Sequence, residues 1–138
     1  MSMNLVVARF KNGRTLKGTS LNVDPDKATF HVRTESGGVE VKLNDLKALF
    51  FVKDPAGNKA HREAMAPTAG DPRLVGAKKV AVRFSDGERV VGMTNRFPPL
   101  KKFFFMIPID PKSNNIRILV NRDATLKIEE VIGPAASS

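Results

Sequence analysis

The chain has no cysteine, no tryptophan and no tyrosine, and only two histidines in 138 residues. Without cysteine there is no disulfide framework, no thiolate metal site and no cysteine nucleophile, and a reducing compartment suits such a chain. His31 and His61 have no further metal-ligating residue at the spacing of a zinc site. Long apolar runs are also missing, and none approaches the ~20 residues needed to span a bilayer. The opening Met1-Ser2-Met3-Asn4-Leu5 lacks the basic and long apolar regions of a signal peptide, so a cytoplasmic location is expected. No G-x-S-x-G elbow or phosphate-cradling glycine loop occurs, and the expectation is a protein that is not an enzyme and carries no cofactor or metal.

What is present is hydrophobic enough to fold, at 41% apolar and 27% charged residues, and it is basic. The net charge of +9 leans towards the C-terminal part, where residues 78–138 hold eleven Lys or Arg against six Asp or Glu. Such an excess attracts anions, nucleic acid among them, or serves solubility alone.

The strongest pattern is a repeat. Val7-Ala8-Arg9-Phe10-Lys11-Asn12-Gly13 followed by Gly18 recurs as Ala81-Val82-Arg83-Phe84-Ser85-Asp86-Gly87 followed by Gly92. Asn-Gly and Asp-Gly are hairpin turns because both residues tolerate positive φ, and the later glycines mark bends or bulges. The first copy continues through short period-two segments at Thr29–Arg33 and Val39–Leu43, with a turn expected at Gly37-Gly38, and ends in the apolar Lys47–Lys53. In the second copy Phe103–Ile107, Ile116–Val120 and Ala124–Ile132 take those places, with Phe104 standing where Phe30 does. This predicts an all-β protein of two tandem five-stranded small barrels packed together. The first occupies residues 1–54 and the second 78–133. Residues 55–77 form a Pro/Gly-rich linker with one or two helical turns at His61–Met65, and 134–138 a frayed tail. A lone ~60-residue domain is marginal, so the halves are expected to bury surface against each other.

The strand, Asn-Gly turn and Gly-Thr passage Arg9-Phe10-Lys11-Asn12-Gly13-Arg14-Thr15-Leu16-Lys17-Gly18-Thr19 resembles the first hairpin of Sm-like and SH3-like small barrels. Of the Sm-type RNA-contacting loops, Asn22-Val23-Asp24 is a loose echo of the first and Asn44-Asp45 does not match the second. A likeness over nearly the whole chain lies in Leu46-Lys47-Ala48-Leu49-Phe50-Phe51-Val52-Lys53-Asp54 and in Phe104 to Arg117, including Asp110-Pro111-Lys112-Ser113-Asn114-Asn115. These strings resemble an uncharacterised bacterial domain family whose members occur alone or beside signalling modules such as PilZ domains. The resemblance implies a bacterial source and a non-catalytic role, and it names no ligand.

Two sets of residues are candidates for binding. Lys112, Asn114, Asn115 and Arg117 form a polar cluster able to grip a phosphate or carboxylate, although Asp-Pro and Ser-Asn-Asn also suit a plain turn. Lys101 and Lys102 precede Phe103, a basic-aromatic neighbourhood of the kind that tracks nucleic-acid backbones. Arg9 and Arg83 hold equivalent positions; each either binds an anion or pairs with Glu40 or a carboxylate of the other half. The second set is aromatic. Phe50, Phe51, Phe103 and Phe105 exceed what one strand face can bury and so offer an interaction surface, either to the other half or to a partner. The leading expectation is a protein-interaction or signalling-adaptor module; the alternative is a nucleic-acid or phosphorylated-ligand binder, and the oligomeric state stays open.

Overall fold

The computed structural model describes residues 4–21, 23–54, 78–95, 97–99, 101–109 and 113–131. The expected linker 55–77 with its helical turns, the tail 134–138 and Lys112 lie outside the described residues. The described chain is all-β. Strands β1 (Asn4–Phe10), β2 (Thr15–Ser20), β3 (Thr29–Thr34), β4 (Gly37–Lys42) and β5 (Leu46–Val52) are followed by β6 (Lys78–Phe84), β7 (Arg89–Thr94), β8 (Phe103–Pro108), β9 (Asn115–Asn121) and β10 (Thr125–Glu130). A single 3-10 turn precedes the last strand of each half, at Leu43–Asp45 and Arg122–Ala124.

The repeat is a repeat of local physics. At the β1–β2 turn the Asn12 side chain accepts from the Arg14 amide at 2.9 Å, and Gly13 takes φ 90°. At the β6–β7 turn the Asp86 carboxylate accepts from the Glu88 amide at 3.0 Å, and Gly87 takes φ 96°. Both side chains mimic a backbone turn, which is why Asn and Asp stand there. The β3–β4 turn falls at Glu35-Ser36, two residues before the expected Gly37-Gly38, because the Thr34 hydroxyl closes it by accepting from the Ser36 amide and donating to the Gly37 carbonyl. Gly37, at φ 119°, already begins β4.

All pairings are antiparallel, in the order β10-β6-β7-β8-β9-β5-β1-β2-β3-β4. Each half has the same internal order, and the ladder of one runs into that of the other where β5 pairs with β9. The sheet is not closed: among the described residues nothing pairs with the outer edges of β4 and β10.

The junction explains the apolar run Ala48–Val52 of β5. All seven residues of that strand are buried, since it lies between β1 and β9 and covers a core on each face. Phe50, Ala48 and Val52 face the cluster built on Val80, Val82, Phe84, Phe104, Met106, Ile118 and Val120. Leu49 and Phe51 face the cluster of Val6, Ala8, Phe30, Val32 and Val41, which Leu119 of β9 enters from the second half. Phe103 and Phe105 are half-buried against that same first-half cluster. Each core is therefore completed by side chains of the other half. Phe50, Phe103 and Phe105 pack on the core of the other half and Phe51 on that of its own, so the buried Phe50 and Phe51 offer nothing to an outside partner.

Candidate binding surfaces

The junction carries a buried cation. Lys47, on β5, is 7% exposed. Its ammonium donates to Asp86 at 2.7 Å and to Glu88, and lies 4.8 Å from the centre of the Phe84 ring. Both acids come from the β6–β7 turn of the other half. The Lys47 ammonium, helped by the Glu88 amide, holds the Asp86 carboxyl below its ordinary value of 3.8. Arg9 joins the group, 3.7 Å from Glu88 and 5.2 Å over the Phe50 ring. Of the two readings of Arg9, the pairing with a carboxylate of the other half describes its position.

The remaining candidates are dispersed over separate elements with separate partners. Lys101 pairs with Asp26 at 3.1 Å. Lys102 pairs with Asp123 at 2.9 Å, donates to Asn44, and so keeps the Asp123 carboxyl below its usual range. The Asn114 side chain brackets the backbone of Asp54, accepting from its amide at 3.0 Å and donating to its carbonyl at 2.8 Å. It ties the end of β5 to the start of β9. The Asn115 amide donates to the buried Ser113 hydroxyl at 3.1 Å, closing the turn locally. The Arg117 guanidinium sits in the notch between Phe51 and Phe105, 4.2 and 4.7 Å from their centres. The contacts of Ser113, Asn114 and Asn115 are thus those of a turn and of the junction.

Arg83 is placed differently. It points outward, opposite the core side chains Val82 and Phe84, and stands directly across from Arg89 on β7 and Lys127 on β10. Arg89 and Lys127 were missed from sequence. The short Asp86-Gly87 turn already implies that Arg83 and Arg89 are cross-strand neighbours, but Lys127 joins them through a pairing that no local pattern announces.

The free edges form the other feature. The repeat equates β4 with β9 and β5 with β10, because Phe30 pairs with Val41 as Phe104 pairs with Val120. Arg9 and Phe10 pair with Ala48 and Leu46 across a register shift, and Arg83 and Phe84 pair with Lys127 and Thr125 across the same shift. The β5–β9 ladder thus joins one unit's last strand to the other's fourth. The outer edges of β10 and β4, unpaired among the described residues, are the counterparts of those two.

Among the described residues no three His, Asp or Glu gather as metal ligands, and no helix is long and apolar enough to cross a membrane. These features define an all-β protein of two like-built halves that complete each other's cores. The chain belongs to a family of unknown function, DUF6982, whose model matches residues 2–132. The resemblance to an uncharacterised domain family holds at that level. No curated protein and no solved structure matches the chain.

Proposed function

We propose that this chain is a non-enzymatic binding module of the bacterial cytoplasm, built of two Sm-like or SH3-like units, that captures a partner protein's extended strand on the open edge of β4. The likeness of the two units supports this: they share strand order, turn chemistry, the shift in the last strand and the 3-10 turn before it.

The observation that carries the reading is the β5–β9 junction. It shows a unit of this architecture accepting an apolar antiparallel strand on the edge of its fourth strand. Among the described residues nothing occupies that edge of β4, where Gly37, Gly38, Glu40 and Lys42 are exposed and Val39 is 39% exposed. Main-chain hydrogen bonds supply affinity in such strand addition, and alternate side chains supply selectivity. A second copy of the chain is a poor occupant. Its own β10 carries Lys127, Glu129 and Glu130 where β5 carries Ala48, Phe50 and Phe51. Charges of this kind guard an edge against self-pairing. The fitting partner is a different protein with a β5-like apolar strand.

Peptides selected from a random library test this reading. Binders are expected to contain an apolar extended stretch and to shift the backbone amides of Gly38 to Lys42 in a heteronuclear NMR titration. Selected binders that leave those amides unmoved contradict it.

A further inference from the structure

We propose that the outer face of the second half carries a phosphate-binding row, Lys127–Arg83–Arg89, which tracks the phosphodiester backbone of nucleic acid without reading its sequence. Three adjacent strands place these cations directly opposite one another. With strands about 4.8 Å apart, the row is about 10 Å long. Like charges set opposite on a sheet face repel and destabilise it. The fold does not require them: the equivalent row of the first half is Ala48–Arg9–Thr15, whose one cation pairs with Glu88.

The acids nearest in sequence are already committed. Asp86 and Glu88 are held by Lys47 at the junction. Within the row only Lys127 has a described acid partner, Glu129 at 3.3 Å, and that pair is exposed and weak. Arg83 and Arg89 are exposed, with no carboxylate paired to either among the described residues. Arginine's planar fork suits phosphate oxygens bidentately. A lone phosphate or headgroup is best held by cations converging on a point, whereas one cation per strand in a line suits a polymer of regularly spaced phosphates. No aromatic side chain belongs to the row, so nothing stacks on bases and readout is of the backbone alone.

Fluorescence anisotropy with mixed-sequence DNA, single- and double-stranded, across a salt series tests the proposal. The variant Arg83→Ser/Arg89→Ser is compared with Lys17→Ser/Lys27→Ser, which removes the same charge from exposed positions of the first half. The row predicts that only the first variant loses slope in log affinity against log salt, by about 1.8 for duplex and about 1.4 for single strands. The same variant should melt no lower than the parent, since it relieves repulsion. Equal slope losses in both variants, absent binding at low salt, or binding to anionic vesicles but not to DNA each overturn the proposal.

Discussion

Removing the acids that face Lys47 should harm the protein far more than removing Lys47 itself. The lysine side chain is 8% exposed, whereas the side chains of Asp86 and Glu88 are 55% and 39% exposed. In Lys47→Met the acids return to water, and an apolar chain of similar length remains on the Phe84 ring; the expected cost is within about 1 kcal/mol. In Asp86→Asn/Glu88→Gln the ammonium stays buried with no counter-charge, and breaking such a pair from one side costs about 3–5 kcal/mol. Loss of the exposed Arg9–Glu88 contact adds at most about 1 kcal/mol. Combining all three substitutions should recover most of the deficit, because the stranded charge is then gone. Urea unfolding at neutral pH, followed by circular dichroism, measures each variant, with constant slope confirming that the same unit unfolds. A double acid variant no less stable than Lys47→Met would refute the reasoning.

Other substitutions probe the same frame. A Cβ on Gly18 would lie 2.3 Å from the Arg33 carbonyl oxygen, and one on Gly92 2.6 Å from that of Ile107. Each Gly→Ala change should therefore cost about 1–3 kcal/mol in thermal unfolding, and an unchanged midpoint would show that the strand crossings are loose. Asn121 is buried, donates to the Leu46 carbonyl at 2.8 Å across the halves and accepts from the Asp123 amide at 3.0 Å. Asn121→Ala leaves both groups without that partner and should cost about 1–3 kcal/mol by the same assay. The Lys47 ammonium lowers the Asp86 pKa on folding. That contribution is present above the unfolded value of 3.8 and is lost as pH falls through the lower folded value. Asp86→Asn should therefore flatten the acid limb of a stability-against-pH curve, and an identical limb would contradict the coupling.

Local chemistry made much of the fold legible in the sequence. Asn12-Gly13 and Asp86-Gly87 announce their hairpins, and period-two segments such as Val39–Leu43 announce their strands. Two kinds of feature stayed hidden. A turn closed by a side chain, as Thr34 closes Glu35-Ser36, leaves a weaker mark than a Gly-Gly pair and shifted the expected turn. Long-range pairing leaves almost none. The surplus phenylalanines signalled extra burial, but only the β5–β9 ladder shows that each half finishes the other's core. Nothing local to Lys47 marks its ammonium as buried; the burial follows from the approach of a turn about forty residues away. Arg83 was visible as a candidate, yet its meaning changed once Arg89 and Lys127 were seen on either side of it.

The most direct test of this architecture is native-state amide hydrogen exchange resolved by NMR. If β5 and β9 join the halves into one cooperative sheet, their mutually bonded amides should exchange only by global unfolding, as slowly as those of β1, while the outward amides of β4 exchange by local opening. Fast exchange along β5 and β9, with the two halves protected to different extents, would contradict it.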